Sequence, residues 1–210
     1  MTLRFHVRNT GVDPLTGSLG LFYDRNDGYF VKADDHEPPN TAAGNCTDTK
    51  YNCAVVDNAA GTSTGQWGSM AFDPSGQAWV AYYDTTNTRL MIAKYVGYGG
   101  SGCGASGSTA WTCSVVDSAA STDLGKSASL SFSRAGVPWI SYYDTTNTNL
   151  KVAILHTDTT TSGSGCGTGS TMWDCATVDS TANSTGTYNS IAFSAAGAAG
   201  VAYTPTTTVR

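Results

Sequence analysis

The chain has 210 residues, a formal net charge of −5 and only 13 % charged residues. That length allows one domain with a real core, and 11 Lys and Arg are too few for the basic face that phosphate backbones demand, which excludes nucleic acid as a partner. No apolar run approaches the roughly 20 residues of a membrane helix, so no membrane insertion is expected.

Short alternating segments bounded by turn residues run through the chain. Leu3 and Phe5 open a first unit, which continues through Leu21-Phe22-Tyr23-Asp24 and ends near Val55-Val56-Asp57. About seven extra residues around Thr10 to Gly17 enlarge its first hairpin. In the second unit Ser69 to Asp73 alternates and meets Pro74-Ser75-Gly76, a turn signature. Ala78 to Asp84 follows as an aromatic-rich strand, then the turn Asp84-Thr85-Thr86-Asn87, the strand Arg89 to Tyr95, a Gly/Ser loop, and the strand Trp111 to Asp117. The third unit repeats this order: Trp139-Ile140-Ser141-Tyr142-Tyr143-Asp144-Thr145-Thr146-Asn147-Thr148 restates Trp79 to Thr88 at a distance of 60 positions. A fourth begins at Ile191 and Phe193 and leaves the remnant Val201-Ala202-Tyr203-Thr204. No stretch sustains a 3.6-residue period, so no helix is expected.

Four short strands per unit, restated at a fixed period, describe a unit that buries its faces only against its neighbours. The expected fold is all-β: a β-propeller-like array of about 60-residue four-stranded blades, at residues 2–57, 68–117, 127–179 and 189–210, the last partial. The pattern S-x-x-F-x-x-x-G-x-x-x-[IV]-[AS]-Y-Y-D resembles the short repeats of bacterial secreted β-propeller proteins and, more distantly, sialidase-like propellers with Asp boxes; Asp73 to Trp79 looks like part of such a box. The resemblance covers nearly the whole chain and implies a fold rather than an activity.

Each of the first three units carries one cysteine pair at the same place: Cys46 and Cys53, Cys103 and Cys113, Cys166 and Cys175. Pairing within each unit is the simplest connectivity. Each bridge would close about ten residues and contribute roughly 2.5 kcal/mol. Zinc fits poorly, because C-x2-C spacing and nearby histidines are lacking. Disulfides place the protein in an oxidising compartment, outside the cell or on its surface. Asn45-Cys46-Thr47 and Asn183-Ser184-Thr185 are glycosylation acceptor sequons.

The residues suggest no catalytic set and no cofactor. Six arginines occupy non-equivalent positions, Glu37 is the sole glutamate, and His6, His36 and His156 fall in different units. Gly163 to Gly167 matches Gly-x-Ser-x-Gly inside low-complexity loop sequence, away from the strand-to-helix context of a nucleophile elbow. Asp24, Asp84 and Asp144, each followed three residues later by Asp or Asn, read as Asx-type turns rather than calcium ligands.

Two functions remain. An uncharged terminal edge at Val201, Ala202 and Tyr203 would join copies of the chain head-to-tail into a filament or ring, making the protein a self-assembling scaffold. Alternatively, the protein binds carbohydrate. The recurring Trp79, Trp139, Trp111 and Trp173 read as packing between units, whereas Trp67 and Tyr188 align with Ser127 and break the repeat. With Lys126 they form a candidate ligand surface, expected in loops just ahead of the innermost strands.

Overall fold

The computed structural model describes residues 22–24, 30–32, 55–58, 63–104, 109–167, 170–181 and 185–204. The chain divides into two units, residues 1–53 and residues 54–210. In the first, β1 (Phe22–Asp24) and β2 (Phe30–Lys32) pair antiparallel, with Phe22 opposite Lys32 and Asp24 opposite Phe30.

Among the described residues the second unit contains two four-stranded antiparallel sheets and a two-stranded one. β3 (Thr64–Phe72), β4 (Ala78–Asp84), β5 (Arg89–Tyr95) and β6 (Trp111–Asp117) lie side by side in chain order. β7 (Leu124–Phe132), β8 (Pro138–Asp144), β9 (Asn149–Leu155) and β10 (Trp173–Asp179) repeat that order. β11 (Asn189–Phe193) and β12 (Ala199–Tyr203) form the third sheet. The described residues contain no helix.

The hairpin turns follow from their residues. In the β3–β4 turn Gly76 has a φ of 82°, a conformation that L side chains rarely adopt, and its N–H donates to the Asp73 carbonyl at 2.8 Å. The Asp73 carboxylate accepts from the N–H groups of Ser75 and Gln77 and from the Trp79 indole at 3.1 Å, which holds the turn closed. Ser133 and Ser194 replace that carboxylate in the equivalent turns, each hydroxyl accepting one N–H at 3.1 Å. Asp84 and Asp144 accept from Asn87 and Asn147 through backbone and side chain, so both are Asx-type turns. The side chain of Asp24 lies outside the described residues.

The first strand of each four-stranded sheet begins earlier than its alternation suggests. β3 starts at Thr64 rather than Ser69, and β7 at Leu124, because each carries register shifts that interrupt the pairing. Residues of positive φ sit at these shifts: Gly65 (93°) and Trp67 (48°) in β3, Gly125 (107°) and Ser127 (53°) in β7. Trp67 therefore lies inside a strand, not in the loop ahead of it. A bulge breaks the two-residue period, so the strand start is hidden from pattern reading.

Equivalent residues join one sheet to the next. Trp79 meets Phe132 edge-on at 5.7 Å, and Trp139 meets Phe193 at 5.5 Å. The Ser69 hydroxyl accepts from the Leu130 N–H, and that of Ser129 from the Ile191 N–H. Thr88 and Thr148, at φ of 50° and 56°, present their carbonyls to the N–H groups of Leu124 and Thr185. The repeated Tyr-Tyr-Asp-Thr-Thr-Asn-Thr run is thus a tight turn whose last carbonyl docks onto the following unit. Three Tyr–Asp pairs complete the pattern: Tyr82 donates to Asp57, Tyr142 to Asp117 and Tyr203 to Asp179.

The main core lies between the two larger sheets, with Leu90, Ile92, Val116, Leu124, Leu130 and Ile140 buried together. Trp173 is also buried in it, in keeping with a packing role. Trp111 differs from the expectation: it packs edge-on against Tyr95 of its own sheet at 5.3 Å, because β5 and β6 set the two rings opposite each other.

Candidate functional site

Positions 67, 127 and 188 are equivalent in the repeat, and the structure gathers them. Trp67 and Gly68 on β3, Ser127 and Ala128 on β7, and Tyr188 and Asn189 at the start of β11 line one shallow cavity of about 260 Å³. Trp67 is 46 % exposed and Tyr188 is 74 % exposed, so the cavity lining presents two exposed aromatic side chains beside Gly68, Ser127, Ala128 and Asn189. Cross-links between units fix this lining. The Ser127 hydroxyl donates to the Thr187 carbonyl, and the Asn189 amide donates to the carbonyls of Ser127 at 2.9 Å and Gly186 at 3.0 Å. The amide oxygen of Asn189 accepts from Ser141. Lys126 stands beside Trp67, its ammonium 5.7 Å from the indole centroid and paired with Asp123 at 2.5 Å.

The sequence singled out Trp67, Lys126 and Tyr188 together, and the three share this region. It missed Asn189, Gly68 and Ala128 as lining residues. The available signal was their place directly after the three equivalent positions.

The other expected positions fall as follows. Cys103–Cys113 and Cys166–Cys175 are disulfides with Cα atoms 4.9 Å apart, the local pairing that spacing suggested. Cys46, Cys53, Asn45 and Asn183 lie outside the described residues, as do His6, His36 and Glu37. Val201, Ala202 and Tyr203 form most of β12, whose only pairing among the described residues is to β11. The Gly163–Gly167 loop folds against β10, the Ser164 carbonyl accepting from the Cys175 N–H at 2.8 Å, which is a structural contact. Arg89 is tied to Asp84 at 2.9 Å. No group of three or more His, Cys, Asp and Glu among the described residues is placed to hold a metal ion.

One hydrogen-bonded run was not legible in the sequence. His156 bonds Asp174 through Nδ1 at 2.6 Å and Thr161 through Nε2 at 2.9 Å. The order Asp–His–Thr is that of a nucleophilic triad, but its polarity is reversed. The Thr161 hydroxyl donates to Asp158 at 3.0 Å, so it receives the Nε2 proton rather than giving one up. Both ring nitrogens then donate, and the group is a charged loop clasp.

The bond to Asp174 raises the His156 pKa, with the charges of Asp174 and Asp158 adding to it. His156 holds Asp174 below the usual carboxyl range, and Thr160 does so for Asp158. A raised histidine value means that its contribution is complete below about pH 6.5 and lost as pH rises through the folded value. The lowered carboxyls contribute above about pH 4 and lose that contribution as pH falls through their folded values. The clasp is therefore strongest between these limits. An NMR titration should find the His156 midpoint above 6.5 and returned toward it in Asp174→Asn; an unchanged midpoint in the variant would exclude the clasp.

Taken together, the described residues define an antiparallel β-repeat protein with disulfide-closed loops and a shallow cavity lined by two exposed aromatics where the first strands of three sheets meet. The chain matches no family model, no curated protein and no solved structure.

Proposed function

We propose that this is an exported β-propeller-like module that binds carbohydrate in the groove between Trp67 and Tyr188. The observation that carries this reading is the contrast with Ser127. Trp67 and Ser127 occupy the same repeat position with nearly the same φ, 48° and 53°. Serine therefore satisfies the fold there, and the indole adds exposed apolar surface at a position costing roughly 1 kcal/mol in backbone strain. Two exposed aromatics facing one cavity supply what sugar faces need: flat apolar surfaces for their C–H groups beside hydrogen-bonding groups at the edges. Like stacking of successive sheets through Trp79, Trp139 and the Tyr–Asp pairs supports the blade reading. The two disulfides support export.

The test follows from the middle repeat. Trp67→Ser and Tyr188→Ser copy a residue the fold already accepts, so both variants should unfold close to the parent. Each should lose at least about tenfold in affinity for the oligosaccharides that the parent binds on a glycan array, about 1.4 kcal/mol. Parent-like affinity in both variants would remove the groove from consideration.

A second reading, self-assembly through the terminal sheet, is favoured by one observation: the free edge of β12 among the described residues carries no charge over Val201, Ala202 and Tyr203. Head-to-tail strand addition at that edge would build rings or filaments. Light scattering should then show assemblies for the parent and smaller particles for Ala202→Lys; identical profiles would set this reading aside.

A further inference from the structure

Behind Trp67 stands a set of residues that the next junction lacks. Tyr83 packs edge-on against the indole at 5.4 Å and donates its hydroxyl to Asp123 at 2.5 Å. The other oxygen of Asp123 takes the Lys126 ammonium at 2.5 Å. That ammonium lies 5.5 Å from the Tyr83 ring and 5.7 Å from the Trp67 ring. One junction later the same four positions hold Ser127, Tyr143, Ser184 and Thr187. The lysine and the aspartate are present where the tryptophan is present, and both are replaced where it is replaced by serine. Their association with the indole marks them as its support rather than as part of the common fold.

The pair also fixes the charge of the groove. Among the described residues lining the cavity none is ionisable except the Tyr188 phenol, and the Lys126 ammonium beside Trp67 is already matched by Asp123. An incoming carboxylate or sulfate would have to displace Asp123 from Lys126 and would meet its negative charge at close range. An uncharged ring meets no such opposition and stacks on an indole whose orientation is preset. Tyr83 is likewise committed: burial first, and then the bond to Asp123, push its hydroxyl pKa well up, so it stays a neutral donor.

We propose that Lys126 and Asp123 are positioning residues for Trp67 and that they make the groove selective for neutral over acidic sugars. This inference rests on the carbohydrate reading above. The test uses the full chain with cellohexaose, xylohexaose and chitohexaose as neutral probes and hexagalacturonate as the acidic one, at low and high salt. A neutral probe should bind with an affinity that salt leaves unchanged, because no ion pair forms with it. Lys126→Met keeps the stem and removes the charge. It should weaken that binding roughly five- to tenfold, and the upfield NMR shifts of the Lys126 side chain should shrink in Trp67→Ser to the part that the Tyr83 ring supplies.

Preference for hexagalacturonate, weakened by salt and abolished in Lys126→Met, would overturn the inference by making Lys126 an anion ligand while leaving a sugar site in place. Unchanged neutral binding in Lys126→Met would also overturn it. Absence of binding to all four probes, with none on the array, would instead remove the carbohydrate reading and this inference with it.

Discussion

Gly125→Ala should destabilise the chain by about 3 kcal/mol in urea unfolding, whereas Gly197→Ala should cost about 1 kcal/mol. Both glycines have positive φ, 107° and 86°, so both substitutions carry backbone strain. They differ in what the new methyl meets. At Gly125 a Cβ would lie 2.7 Å from the Leu90 Cα and 2.9 Å from its backbone nitrogen, whereas at Gly197 nothing lies within 4 Å. Leu90 is fully buried and its backbone belongs to β5, so relief requires β7 to move away from the neighbouring sheet. Gly186 repeats this approach one unit later, with 3.0 Å to the Leu150 Cα, and Gly186→Ala should fall between the two. Equal losses at Gly125 and Gly197 would show that conformation alone, not the approach between sheets, demands glycine there.

Asp117→Ala should be the most damaging change among the Tyr–Asp pairs, at about 3–5 kcal/mol. The Asp117 carboxylate is fully buried and receives both the Tyr142 hydroxyl and the Lys151 ammonium at 2.5 Å. Removing it leaves a largely buried ammonium and a fully buried hydroxyl without their acceptor. Burial, and then the charge of Asp117, keep the Tyr142 hydroxyl pKa well above its ordinary value, so the pair holds throughout the neutral range.

The preceding junction supplies an internal control. There Met91 replaces Lys151, and among the described residues the Asp57 carboxylate takes the Tyr82 hydroxyl alone, at 2.7 Å. Asp57→Ala should therefore cost about 1–3 kcal/mol, the loss of one part-buried hydrogen bond. Lys151→Met, which restores that simpler arrangement, should be tolerated. Thermal or urea unfolding of the three variants gives the ranking directly. A Lys151→Met loss as large as that of Asp117→Ala would mean that the ion pair, rather than the orphaned charge, carries the stability.

Much of the architecture was legible because repetition removes ambiguity. The strands Ala78–Asp84, Arg89–Tyr95 and Trp111–Asp117 end where the turn residues and the second copy said they would. The Cys103–Cys113 and Cys166–Cys175 pairs and the Asx-type turns at Asp84 and Asp144 followed from spacing and side-chain chemistry. The first strands of the two four-stranded sheets were harder, since the bulges at Gly65 to Trp67 and Gly125 to Ser127 interrupt the alternation by which a strand is recognised. Trp111 was assigned to packing between units because it recurs, but recurrence does not distinguish a neighbour in the same sheet from one in the next.

By itself, the sequence determined the unit, its strand order and the residues that depart from the repeat, because strand period, turn chemistry and cysteine spacing act within a few residues of one another. Only the tertiary structure decided what those departures do. Trp67, Ser127 and Tyr188 are about 60 residues apart in sequence and share one cavity because equivalent strand positions are superposed when sheets stack. The same stacking brings Leu90 against Gly125 and the charge of Lys151 to Asp117. Contacts of this kind depend on the register between sheets, which no local pattern encodes.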